Sequence, residues 1–125
     1  MAGPFSNREL DVMKVLWAHG PSTVTEVRGH LEDDLAYTTV LTVLRTLEAK
    51  AHIGHKEEGK AHRYFAKVAE NAARRTALTR VLDRVFGGSA ELLLTHLVSD
   101  RNLSAKEVKR LRALIDGQLK RGKKS

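Results

Sequence analysis

Three times the chain sets a hydroxyl residue three positions ahead of a glutamate at the head of an apolar run: Ser6–Glu9, Thr23–Glu26 and Ser104–Glu107. In such a capping box the hydroxyl and the carboxylate satisfy amides that the first helical turn leaves unpaired, so each pair marks a helix start. After the first, Leu10, Met13, Leu16 and Trp17 recur at helical spacing, Phe5 and Leu10 are placed to staple the entry, and Gly20-Pro21 stops the run. After the second, Val27 and Leu31 carry the buried stripe of a short helix that ends at the acidic loop Glu32-Asp33-Asp34. The third opens the last helix, stapled by Leu103 and Val108 and continued through Leu111, Leu114, Ile115 and Leu119.

Between the second box and the middle of the chain, a helix is predicted from about Tyr37 to Lys50. Val40, Val43, Leu44 and Leu47 fall within a sector of about 100° and should face the core. Thr38, Thr42, Arg45 and Ala49 project the other way. A merely solvated face usually carries Glu and Lys, as Glu48 does on the flank; short hydroxyls with one arginine suit a crowded groove. The periodicity then changes from helical to alternating in His52–Glu57 and Ala61–Ala66, joined by Glu58-Gly59, which reads as a β-hairpin. Three helices followed by a hairpin within about 68 residues is the order of a winged helix-turn-helix. The expected fold is therefore mainly α, with three helices plus a β-hairpin wing over residues 1–68 and a three-helix dimerisation domain over 69–125.

That second part begins near Ala69 with a stripe of Leu78, Val81, Leu82, Val85 and Phe86, broken by Gly87-Gly88, and continues in a short helix from about Ser89 holding Leu92, Leu93, Leu94, Leu97 and Val98. Three short helices cannot bury so much apolar stripe alone. A second copy is the simplest cover, with Leu78, Leu82, Val85, Leu92, Leu111 and Ile115 as the expected dimer contacts.

Composition narrows the chemistry. The chain of 125 residues has no cysteine, which excludes disulfides, thiolate catalysis and Cys-based metal sites. Its 42% apolar and 30% charged residues fit a folded protein. The longest charge-free apolar stretch, Leu35–Leu44, falls far short of the ~20 residues that span a bilayer, and MAGPFSNREL lacks an apolar signal core, so a cytoplasmic protein with no membrane association is expected. A net charge of +7 points to an anionic partner. Yet residues 1–68 hold 9 basic and 9 acidic residues, while residues 69–125 hold 13 and 6. The weight therefore moves to local placement. Lys56, Lys60, His62 and Arg63 gather on the hairpin; Arg74, Arg75, Arg80 and Arg84 line the fourth helix; and Lys120, Arg121, Lys123 and Lys124 form a tail. For the helix and the tail, phosphate contact and a solvated surface are both open.

Leu35-Ala36-Tyr37-Thr38-Thr39-Val40-Leu41-Thr42-Val43-Leu44 and the wing residues Ala61-His62-Arg63-Tyr64 resemble the third helix and wing of the penicillinase-repressor family, BlaI/MecI with copper-responsive CopY as a relative. The similarity extends to Glu9–Trp17 and to Leu103-Ser104 through Ile115, nearly the whole chain. It implies a homodimeric transcriptional repressor on a palindromic double-stranded DNA operator, induced by proteolysis in the short dimerisation helix downstream of a membrane sensor protease. The Asn-Phe pair cut in staphylococcal members does not occur in Leu94-Thr95-His96-Leu97, and the copper-sensing Cys motif is absent.

By position, Thr38, Thr42 and Arg45 are the expected base-edge readers, with Thr39, Thr46 and Tyr37 near phosphates or thymine methyls; Tyr37 could equally pack inward. Lys56, Lys60, His62 and Arg63 are the expected wing contacts. His52, His55 and His62 suggest a metal, but strand alternation parts 52 from 55 and no carboxylate completes a set, so neither metal nor cofactor is expected. No nucleophile elbow, phosphate-cradling loop or paired-carboxylate cleft argues for an enzyme. The other class of reading is a winged helix that binds a protein partner instead of DNA.

Overall fold

The computed structural model describes residues 5–122 and contains six helices: α1 (Asn7–His19), α2 (Val24–His30), α3 (Tyr37–Ala49), α4 (Glu70–Val85), α5 (Ala90–Asp100) and α6 (Ala105–Gly122). Three strands, β1 (Ser22–Thr23), β2 (Ile53–Glu58) and β3 (Ala61–Ala66), form an antiparallel sheet in the order β1-β3-β2. The mainly helical winged-helix architecture is thus the one expected. Contacts divide the chain into two compact units, 1–77 and 78–125. The first turns of α4 therefore group with the winged-helix unit, later than the 68/69 boundary read from sequence; Ala73 is buried there.

All three capping boxes form. Ser6 Oγ accepts from the Glu9 amide at 3.1 Å while Glu9 Oε1 accepts from the Ser6 amide at 2.8 Å. Thr23 and Glu26 repeat this at 3.2 and 3.0 Å, and Ser104 and Glu107 at 3.2 Å in both directions. In α1 the buried stripe includes Met13 and Leu16 of the expected run together with Val12 and Val15, while Leu10 is only half-buried. Trp17 lies at the margin, its indole N–H donating to the Val68 carbonyl at 2.9 Å. Phe5 packs edge-on against Trp17, and its ring also lies 4.3 Å from that of His52.

The core joins that stripe to Val24, Val27, Val40, Leu44, Leu47, Ile53 and Tyr64. α3 ends in a Schellman turn: the Ala51 amide donates to the Glu48 carbonyl and the His52 amide to Leu47, with Ala51 at φ +65° where glycine usually sits. The hairpin reverses at Gly59 and Lys60, one residue later than expected, with Gly59 at φ +62° in the first turn position. Gly54 is favoured for a different reason: a Cβ there would meet Phe65 Cζ at 2.8 Å, so the ring would have to shift.

The second unit holds the rest of α4, with α5 and α6. Ser89 caps α5 by accepting from the Leu92 amide at 3.0 Å. None of the described residues from 78 to 122 is buried. Among the described residues no helix is long and apolar enough to cross a membrane.

Candidate nucleic-acid interface

The helix expected to read DNA is two-sided. Val40, Leu44 and Leu47 are each 0% exposed, whereas Thr38, Thr39, Thr42, Arg45, Thr46 and Ala49 are all exposed. Tyr37, left open between packing and contact, stands out at 47% exposure. No side chain caps the start of α3 at Ala36. The six-residue connection from α2 is instead held by Arg28, whose Nε donates to the Leu35 carbonyl at 2.5 Å and whose guanidinium lies 4.0 Å from Asp34.

The threonines are not simply free hydroxyls. Thr42 Oγ1 donates to the Thr38 carbonyl at 2.9 Å and Thr46 Oγ1 to the Thr42 carbonyl at 3.0 Å. Their protons are spent on the helix backbone, so they offer lone pairs and methyl groups to a partner. The donors left on this side of the helix are the Thr38 and Thr39 hydroxyls and the guanidinium of Arg45, which makes no hydrogen bond or ion pair among the described residues.

On the wing, the strand register separates residues that the sequence grouped together. Lys56 pairs with Arg63 and Glu57 with His62, so Lys56 and Arg63 share one face of the hairpin while His62 lies on the other with Ile53, His55 and Tyr64. Lys56, Lys60 and His62 are exposed. Lys56 and Lys60 make no hydrogen bond or ion pair among the described residues. Arg63 is engaged throughout: Nε and Nη2 donate to Glu58 Oε2 at 3.1 and 2.8 Å, and Nη1 donates to Glu26 Oε1 at 2.7 Å and to the Pro21 carbonyl at 3.1 Å. Glu58 and Glu26 raise the guanidinium further above its ordinary range. The Glu26 carboxyl is held below the usual carboxylate range, first by the Thr23 amide and then by Arg63.

A second link joins wing and helix where no carboxylate was expected. His55 Nδ1 lies 2.5 Å from Glu48 Oε2, and the His62 ring stacks on His55 with centroids 4.2 Å apart. Glu48, read as a solvated flank, is thus half-buried against β2. Beside it the Tyr64 phenol is pushed up by burial and by the Glu48 charge. Sequence reasoning missed Glu26, Glu48 and Glu58 as partners of the wing; only the capping box drew attention to Glu26, and it pointed to a local role. Among the described residues no group of three or more His, Cys, Asp or Glu could hold a metal ion. A cavity lined by Arg8, Asp11, Lys14, His19, His30 and Glu32, among others, includes no residue of α3 or the wing.

The expected dimer contacts all lie in α4, α5 and α6. Val85 is 69% exposed, Leu78, Leu92 and Ile115 are also exposed, and Leu82 and Leu111 are half-buried. Arg74, Arg75, Arg80, Arg84, Lys120 and Arg121 are exposed; Lys123 and Lys124 lie outside the described residues.

Comparison with known proteins follows the same outline. Residues 5–117 match the family described as penicillinase repressor. The chain is 26% identical over 120 residues to the penicillinase repressor of Bacillus licheniformis, covering 94% of each chain. It is 32% identical over 105 residues to the transcriptional regulator BlaI of Mycobacterium tuberculosis, covering 68% of this chain and 76% of the relative. Among solved structures, the monomeric form of Bacillus licheniformis BlaI in complex with the blaP half-operator superposes with a TM-score of 0.50 at 30% identity, covering 58% of this chain and 90% of that one.

Proposed function

This chain belongs to the penicillinase repressor family, and from that premise we propose that it is a transcriptional repressor that binds a palindromic operator as a homodimer. The observation that carries the reading is the division of α3 into a fully buried stripe, Val40, Leu44 and Leu47, and an exposed face of Thr38, Thr42 and Arg45. The first holds the helix rigidly; the second is short enough for a backbone-close approach in the major groove, with Arg45 suited to the paired acceptors of a guanine edge. Thr39, Thr46 and Tyr37 flank that face. Lys56 and Lys60 supply sequence-independent attraction to phosphate, and His62 is exposed on the other face of the wing.

Homodimerisation rests on a different observation. Leu78, Val85, Leu92, Leu114, Ile115 and Leu119 are all exposed in the single chain, and stripes of this extent mark association surfaces. That a relative's monomeric form engages a half-operator fits one protomer per half-site. Relief of repression by proteolysis downstream of a membrane sensor protease follows from the family resemblance. The resemblance implies a cut in the short helix α5, whose Leu94-Thr95-His96-Leu97 stretch lacks the Asn-Phe pair.

The test is selection of duplexes from a random pool by the purified protein. An inverted repeat with half-site centres about one helical turn, or a multiple of it, apart is expected. Recovery of no preferred sequence, together with a protein partner retained through α3, would replace the repressor with an interaction module.

A further inference from the structure

Lys56, Lys60, His62 and Arg63 look alike in the sequence, but in the fold Arg63 differs from the other three. Four of its N–H bonds are already directed at Glu58, Glu26 and the Pro21 carbonyl. One guanidinium faces two carboxylates, so the cluster carries a net negative charge and does not attract phosphate. Its backbone is fixed as well: Arg63 pairs with Thr23 in the β1·β3 ladder, and Thr23 is the residue that caps α2. The Glu26 oxygen that accepts from Arg63 also accepts from the Thr23 amide, so the start of α2 and the middle of β3 meet at one atom.

We propose that Arg63 is a positioning residue that locks the wing onto the first turn of α2 and so sets where Lys56 and Lys60 lie when α3 occupies the groove. This deepens the DNA-binding reading above and rests on it. Drawing Arg63 out to a phosphate would leave Glu26 and Glu58 unpaired beside a polyanion. The planar fork is what the role needs, since a lysine ammonium cannot span two carboxylates and a carbonyl with the same geometry.

The two roles predict opposite signs. Glu58 is exposed, and Glu58→Gln removes a negative charge from a DNA-facing wing. If Arg63 were a phosphate contact held back by Glu58, this change would tighten operator binding. For a strut it weakens operator binding by about tenfold. Arg63→Lys separates the roles again, because a phosphate contact survives as a point charge whereas a strut does not. The expected result is that Arg63→Lys and Arg63→Gln lose similar operator affinity and narrow the ratio of operator to random-DNA binding, while Lys60→Ala weakens both DNAs alike and lowers the salt slope by roughly 0.9. Gel shifts over a range of salt on the full-length variants, with thermal unfolding run on each to confirm folding, supply the readouts. Tighter binding by Glu58→Gln, or an Arg63→Lys protein that binds like wild type, overturns the inference. Wild-type protein that selects no DNA at all overturns the functional reading first, and the inference falls with it.

Discussion

The winged-helix unit and the C-terminal helices are written in the same amphipathic style, yet they end in opposite states. In the first unit every strong stripe finds its cover within the chain: α1, α2, α3 and the sheet contribute to one core of Val12, Met13, Leu16, Val27, Val40, Leu44, Leu47, Ile53 and Tyr64, each 3% exposed or less. In the second, none of the described residues is buried, and Leu78, Leu92, Leu94, Leu97, Leu114 and Leu119 are exposed. Burial of a Leu or Val side chain is worth about 1.5–3 kcal/mol, so the first unit is stabilised from within, whereas the second leaves that free energy ungained in the single chain. Their charges differ in the same sense: the wing unit balances its acids and bases, and uses several of each on one another, as in Arg8–Asp33, Lys50–Glu9 and Arg63–Glu26.

The contrast breaks most visibly if the second unit needs no partner. Leu111→Asp is expected to halve the mass measured by sedimentation at micromolar concentration and to lower operator affinity on the order of 10²- to 10⁴-fold, because two half-sites would no longer be held by one molecule. An unchanged mass would show that the exposed stripes serve something else. In the first unit the largest effect should fall on stability, at any protein concentration: Leu44→Ala is expected to cost about 2–5 kcal/mol in denaturant unfolding. A loss that disappears on raising the concentration would mean that the head, too, is completed by association.

Arg45→Ala leaves both units folded and should cost about 1–3 kcal/mol on the selected operator while relaxing preference at its own base pair. Equal weakening on every sequence would make it a phosphate contact. Smaller still is Ala51→Gly. Ala51 ends α3 at φ +65°, a conformation that disfavours a Cβ, so glycine should raise the melting free energy by about 0.5–1 kcal/mol without altering the oligomer.

A pH dependence limited to the acid range concerns Glu9. Burial raises its pKa, but the Ser6 amide and Lys50 outweigh this and hold it below the usual carboxylate range. A depressed folded-state pKa contributes stability that is present above the unfolded value and lost as pH falls through the folded one. Glu9→Gln should therefore flatten the acid limb of the stability profile. A wild-type profile as flat as the variant's would remove the Glu9–Lys50 link from the account.

Much of the fold was legible because its signals are local. A capping box needs four consecutive residues, an amphipathic stripe about two turns, and a hairpin two alternating runs with a glycine between them; each is decided by neighbours in the chain. Hence the helix starts at Ser6, Thr23 and Ser104, the buried face of α3 and the place of the wing could all be read from the letters. In α1 the run through Met13 and Leu16 was legible, but its edges were not: Val12 and Val15 are buried and Leu10 only half-buried, because how far a stripe extends to either side depends on what packs against it. The two-residue β1 carries no periodicity of its own and exists only because β3 lies beside it.

The sequence by itself determined which residues α3 leaves exposed, since a helix with one apolar stripe has only one other face. Tertiary structure alone decided which charges remain available to use it. Arg63 meets Glu26 across 37 positions of chain, and pairing at that separation depends on how strand and helix are brought together. Lys56 and Lys60 carry the same formal charge as Arg63, but one sits in the β2 ladder and the other in the turn, and neither makes an ion pair among the described residues. Charge type is a property of one residue; the availability of that charge is a property of whatever the fold places within 3 Å of it.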